Sequence, residues 1–166
     1  MPTTRIEDTQ AAHSAFGHVN LMVDTLIANA ALSDLQAIIR ATLASSSPSV
    51  AVIFTASARR RLARTNAAEL PSVGTLFYRT ADGGAWEPTA ELFTTLARSR
   101  VLYGAGMGVV SLAALTEVVK SAVGVRWDED SRMEDVLAAI DADITQAMQS
   151  AKEEIESGPS TGYWGG

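Results

Sequence analysis

Apolar residues recur at three- and four-residue steps through most of the chain, and this periodicity restricts the fold more than any other feature. Such steps place residues on one face of an α-helix. The longest stripe predicts a helix over 131–157 and consists of Met133, Val136, Leu137, Ile140, Ile144, Ala147, Met148, Ala151 and Ile155. Shorter stripes predict helices over about 4–29, 33–43, 48–65, 89–103 and 111–123. The expected fold is all-α: a bundle-like single domain of five or six helices.

Local signals indicate where several helices begin and end. Ser33 and Gln36 have the spacing of a capping box, in which each side chain satisfies a free backbone N–H group. Pro48 suits the first turn of a helix, where its missing N–H would be unpaired in any case. Thr89 is placed to cap the next helix, and Gly124 to end another in the left-handed conformation.

Residues 71–88 differ from the rest because they are rich in Pro and Gly and contain a run of strand formers. That run is Thr75-Leu76-Phe77-Tyr78-Arg79-Thr80, and Asp82-Gly83 can supply the positive φ of a tight turn. We therefore expect an irregular or β-hairpin insert near residues 71–88. An α+β fold is the alternative, if this insert forms a true sheet.

The chain has 166 residues, of which 47% are hydrophobic, and these values favour one folded domain over a disordered chain. We expect a helical domain over 1–157 and a flexible C-terminal tail over 158–166. The uncharged segment 101–116 would span roughly 24 Å as a helix, less than the hydrocarbon core of about 30 Å. With early acidic residues and no apolar leader, the expectation is a cytoplasmic protein, with a nuclear location left open.

Catalytic side chains are few. The absence of cysteine excludes thiolate chemistry and disulfides, and His13 and His18 lie about 140° apart on a helix, too far to share a metal. Asp141 and Asp143 are expected to flank the apolar stripe of the last helix and to pair with arginines of neighbouring helices. The weak candidates for a catalytic role are His13, Asp24, Asp141 and Asp143.

Metal and cofactor signals are weak as well. Asp128, Asp130 and Glu134 could bind a divalent cation, but Met133 stands where a calcium loop needs glycine, and acidic residues also suit a helix N-terminus. The run Gly104-x-Gly106-x-Gly108 lacks the G-x-G-x-x-G spacing of a nucleotide loop. We therefore expect no cofactor, and we interpret these glycines as a bend that lets two helices approach closely.

Charge is distributed unevenly along the chain. The net charge of −6 argues against nucleic-acid binding overall. Segment 127–157 contains ten acidic and two basic residues (net −8), whereas segment 35–100 contains eight basic and four acidic residues (net +4). Such segments could meet within one molecule, between two copies or with another protein. The candidate interaction residues are Arg59, Arg60, Arg61, Arg64, Tyr163 and Trp164.

These patterns favour a non-enzymatic α-helical module for protein interaction or assembly, homo-oligomeric or part of a complex. The alternative is a small-ligand-binding protein or enzyme with a pocket between helices. Its residues would be His13, Asp24, Asp141, Asp143, Tyr78, Tyr103 and Trp127. A third hypothesis is a nucleic-acid-associated subunit that uses the Arg59–Arg64 cluster. No motif in the chain identifies a family.

Overall fold

The computed structural model describes residues 22–65, 75–127 and 131–158. Six helices and one hairpin account for most of this part of the chain, which confirms the expected all-α fold with a hairpin insert. The elements are α1 (helical over 22–29), α2 (Leu32–Ser45), α3 (Pro48–Arg64), β1 (Phe77–Arg79), β2 (Trp86–Pro88), α4 (Ala90–Gly104), α5 (Gly108–Ala122) and α6 (Arg132–Glu156). The chain divides into two compact units, Met1–Ala51 and Val52–Gly166.

Helices α4, α5 and α6 pack against one another in the second unit, and β2 packs on α6. Their apolar stripes meet in a core that consists of Leu76, Phe77, Leu92, Leu96, Leu115, Val118, Val125, Met133, Val136, Ile140 and Ala147. The hairpin contributes to this core through its first strand, which explains how two short strands are stable: a hairpin alone is marginal in water.

The hairpin lies where the sequence predicts it. Strand β1 pairs antiparallel with β2, and Gly83 in the turn has φ +68°. Thr89 joins the hairpin to α4, since its backbone N–H donates to Leu76 O at 3.0 Å while its Oγ1 accepts from Leu92 N at 3.3 Å. The predicted helix cap at Thr89 is therefore confirmed.

Close packing of α5 on α6 depends on Gly108. A Cβ added at this position would overlap the backbone of Ser150 and Ala151, so only glycine allows this approach. The expected close approach of two helices at the glycine run is confirmed for Gly108, whereas Gly104 lies in α4 with open space around it. Helix α5 nevertheless begins at Gly108, not at Ser111, because the Glu154 carboxylate accepts from Val109 N at 3.1 Å and satisfies a free N–H at the helix N-terminus.

Two other helix ends also match their sequence signals, and one does not. Pro48 is the first residue of α3, and Gly124 has φ +86° just after α5. The capping box at Ser33 is wrong: α2 begins at Leu32, so Ser33 lies inside the helix, and its N-cap residue Ala31 has no side-chain cap.

Helices α1, α2 and α3 contain apolar stripes but no buried residue in the part of the chain that the structure describes. The stripe residues of α1 stay open to solvent, and so do Val50 and Phe54 of α3, which the periodicity placed inward. The period of these stripes predicts one apolar face for each helix. It does not show that the same molecule covers that face.

Candidate functional site

The most strongly interacting polar cluster of the second unit joins α4 to α6. Asp143, on α6, is only 5% exposed. Its Oδ1 accepts from Arg100 Nε at 2.9 Å and from the Tyr103 hydroxyl at 3.1 Å, and its Oδ2 lies 2.8 Å from Arg100 Nη2. Arg100 and Tyr103 are three residues apart on α4, so both side chains lie on the face that meets α6.

The electrostatics of this cluster favour a fixed structural role. The hydrogen bond that Arg100 donates to the Asp143 carboxylate raises the pKa of Arg100 above its ordinary value. Burial is the main cause that raises the pKa of Tyr103, and its hydrogen bond to Asp143 adds to the effect. The phenol therefore remains a proton donor at neutral pH, and the guanidinium engages both carboxylate oxygens. This geometry does not present a free general base.

Further hydrogen bonds between helices surround the cluster. Ser150 Oγ on α6 donates to the carbonyl of Tyr103 at 2.9 Å, and buried Ser111 Oγ on α5 donates to the carbonyl of Ser99 at 2.9 Å. The three helices are thus connected by side-chain to backbone bonds as well as by the apolar core. Small serines suit these positions because they allow the helices to approach closely.

The structure separates the candidate carboxylates. Asp143 is buried and paired with Arg100, which confirms the expected pairing with a neighbouring arginine, whereas Asp141 is exposed. Asp143 is buried beside the apolar core without belonging to it, and it is more enclosed than the expected position at the edge of the stripe indicated. Asp24 is exposed on α1, and His13 lies outside the described residues.

The remaining enzyme and metal candidates do not form a site in the described residues. Tyr78 and Trp127 are exposed, at 47% and 48%. Glu134 is exposed near the start of α6, and Asp128 and Asp130 lie outside the described residues. Within residues 22–65, 75–127 and 131–158, no group of three or more His, Cys, Asp or Glu side chains could hold a metal ion.

A shallow apolar groove of about 180 Å³ runs between α5 and α6. It is lined by Leu112, Leu115, Thr116, Val119 and Ile144. Its only polar lining side chain, Thr116, already donates its hydroxyl proton to the carbonyl of Leu112 at 2.8 Å. The groove is smaller than ordinary ligand pockets, which hold about 300–1,000 Å³.

Four of the candidate interaction residues lie in the part of the chain that the structure describes, and two lie outside it. Arg60, Arg61 and Arg64 are exposed in the last turns of α3, where cations complement the helix dipole. Arg59 is half-buried, and a Cβ added at Gly106 would lie 2.9 Å from its Nη1. Tyr163 and Trp164 lie outside the described residues.

Helices α1 to α3 expose many apolar side chains, including Val50 and Phe54, which were expected to face inward. Eleven large apolar side chains of helices α1 to α3 are at least 36% exposed: Met22, Val23, Leu26, Ile27, Leu32, Ile38, Ile39, Val50, Val52, Ile53 and Phe54. One sequence signal could have identified this segment as a surface. Residues 22–54 contain only three charged residues, Asp24, Asp34 and Arg40, so the solvent-facing side of each helix is weakly marked.

Comparisons with known proteins give no match from which a family could be assigned. No protein-family model matches this chain, and neither a curated protein nor a solved structure does. No helix in the described ranges combines the length and the apolar character that crossing a membrane requires.

Proposed function

We propose that this chain is a non-enzymatic α-helical module for protein interaction or assembly, acting as a homo-oligomer or as a subunit of a complex. The observation that carries the proposal is the exposure of eleven large apolar side chains on α1, α2 and α3, among whose described residues none is buried. Large exposed apolar patches on soluble proteins are typical of interaction sites.

The buried core of the second unit contrasts with the exposed apolar side chains of α1 to α3 and supports the same proposal. Helices α4 to α6 and the hairpin fill a core of their own within the second unit. When a partner covers the exposed apolar side chains of α1 to α3, each Å² of apolar area removed from water contributes about 25 cal/mol of favourable free energy.

The polar groups of the second unit support a non-enzymatic role. Both oxygens of Asp143 accept hydrogen bonds from Arg100, and Tyr103 adds another. An acid–base catalyst must instead be able to reach a substrate proton. The same groups are well suited to hold α4 against α6, which a rigid interaction module requires.

The two other hypotheses have weaker support. The groove between α5 and α6 is small and has no converging polar groups, as a ligand site would need. The exposed arginines of α3 give the nucleic-acid hypothesis its one supporting observation. Retention on heparin at low salt, falling steeply as salt rises, would favour that hypothesis over ours.

The experiment that tests the proposal combines the mass of the purified full chain in solution with affinity capture of partners. We expect either a mass above 17.5 kDa or a captured protein whose binding depends on the exposed side chains. Ile38→Glu with Ile39→Glu should abolish the association. A strictly monomeric chain that captures nothing beyond what this double variant captures would contradict the proposal.

A further inference from the structure

We propose that a second copy of this chain covers the apolar stripes of α1 and α2, in a dimer with two-fold symmetry. This inference rests on the proposed function and names its partner. We define the N-terminal apolar surface as seven side chains of these two helices: Met22, Val23, Leu26, Ile27, Leu32, Ile38 and Ile39.

The spacing of these residues gives each helix one continuous stripe. On α1, Met22 and Leu26 are four residues apart, as are Val23 and Ile27, so the four side chains share one face. On α2, Ile38 and Ile39 lie three and four residues after half-buried Leu35. Each helix can therefore place its whole stripe against a facing helix, which is the geometry that helical bundles use.

Charge favours a second copy over a partner of opposite charge. Residues 22–51 contain three charged side chains, Asp24, Asp34 and Arg40, with a net charge of −1. On a helical wheel all three lie about 110–130° from the centre of the stripe of their own helix. Two copies therefore meet without repulsion between like charges, and a strongly charged partner would find no complementary group. Depletion of charge is also typical of the buried centre of protein interfaces.

The area of the surface fits a dimer. The seven side chains are on average about half exposed. Together they offer on the order of 650 Å² of accessible area, close to the roughly 800 Å² that each partner contributes to an interface of standard size. A two-fold interface uses the same patch on both copies, so this one surface provides both sides of the contact.

The test measures the mass of the full chain by sedimentation equilibrium across a range of concentrations. We expect twice 17.5 kDa for the unmodified chain. Ile38→Glu with Ile39→Glu should weaken the dimer by about 100-fold or more, because charges would be buried at the centre of the interface. Ala37→Glu with Ala41→Glu is the matched control. It adds the same charge to the same helix at exposed positions on the opposite face and should change the dissociation constant by less than about threefold.

A variant on α1 tests the same surface independently, in case the α2 variant loses helicity by circular dichroism. Met22→Glu with Leu26→Glu should weaken the dimer in the same way. Co-purification of two differently tagged copies of the full chain gives a second measure of self-association. It should be lost in both stripe variants and kept in the control.

The remaining outcomes separate the two proposals. A dimer that resists both stripe variants, or a larger assembly, overturns the two-fold pairing through this surface but leaves the assembly function. A monomer that captures a different protein through Ile38 and Ile39 overturns self-pairing alone. A monomer whose stripe variants change no capture contradicts both.

Discussion

Two regions of the molecule have the same helical periodicity and opposite surroundings. In helices α4 to α6 the apolar stripes are buried together, with Leu92, Val118 and Met133 at most 1% exposed. In helices α1 to α3 the stripes stay open, and Ile38 and Ile39 are 43% and 39% exposed. An amphipathic stripe therefore indicates which face of a helix is suited to burial. Whether that face is buried within the same molecule depends on the neighbouring helices.

The largest expected effect compares a core side chain with a stripe side chain. Leu92→Ala removes buried methyl groups from the second unit and should lower the free energy of unfolding by about 2–5 kcal/mol. Ile38→Ala in the monomeric chain should change it by less than about 0.5 kcal/mol, since its side chain is already exposed. Urea unfolding at a concentration below that of self-association measures both. Equal losses would show that α2 is packed as tightly as α4 and would break the comparison.

The second prediction concerns the polar connection between α4 and α6 in the packed region. Asp143→Ala leaves Arg100 and the Tyr103 hydroxyl without their acceptor, and should cost roughly 2–3 kcal/mol of unfolding free energy. The half-exposed position of Arg100 keeps this below the cost of a fully buried pair. Asp141→Ala, two residues earlier on the same helix, should cost less than about 0.5 kcal/mol. Similar values for the two variants would show that the pair adds nothing specific.

The third prediction uses two glycines near the α4–α5 turn. Gly108→Ala pushes a methyl group into the backbone of α6 and should destabilise the fold by about 1–3 kcal/mol. Gly104 is also helical, but a Cβ there meets no atom within 4 Å. Gly104→Ala should therefore be neutral or stabilising by up to about 1 kcal/mol. Thermal unfolding distinguishes them, and a neutral Gly108→Ala would place α5 farther from α6 than the structure does.

The smallest effect is that of the Tyr103 hydroxyl, and it depends on pH. Tyr103→Phe should cost about 0.5–1.5 kcal/mol at neutral pH through loss of the bond to Asp143, while Tyr78→Phe on the exposed hairpin should cost less than about 0.5 kcal/mol.

Because the folded pKa of Tyr103 is raised, the unfolded chain loses the phenolic proton first as pH rises above about 10. The stabilising contribution of this group is complete below that pH and is lost as pH rises through the folded pKa. Chemical unfolding between pH 8 and 11 should show a shallower decline in Tyr103→Phe than in the unmodified chain. Parallel declines would mean that Tyr103 titrates as in the unfolded chain.

Sequence reasoning identified the parts of the fold that local chemistry determines. Thr89, Pro48 and Gly124 mark helix ends because their effects act within one turn of backbone. The hairpin was predictable for the same reason, since a run of strand formers precedes Asp82-Gly83. The glycine run predicted a close approach, although it could not name α6 as the neighbour.

The rest depends on contacts between residues far apart in sequence. Asp143 was expected to pair with an arginine, but its partner Arg100 is 43 residues away and no periodicity identifies it. The burial of Asp143 was missed because the helical wheel placed it at the edge of the stripe. At such a position the exposure of a side chain depends on how far the neighbouring helix, here α4, extends over it. The exposure of the stripes on α1 and α2 was missed because the periodicity of one sequence does not show whether a stripe is covered by the same molecule or by another.

The contact between Gly108 and the backbone of Ala151 also restricts how the second unit can move. Helix α5 rests on α6 at a point where no side chain intervenes, and the Glu154 carboxylate holds Val109 one turn farther along α6. Sliding by one turn would bring a larger side chain to this point, so shear between the two helices is blocked. Gly108 and Glu154 therefore fix α5 and α6 in one register along their lengths.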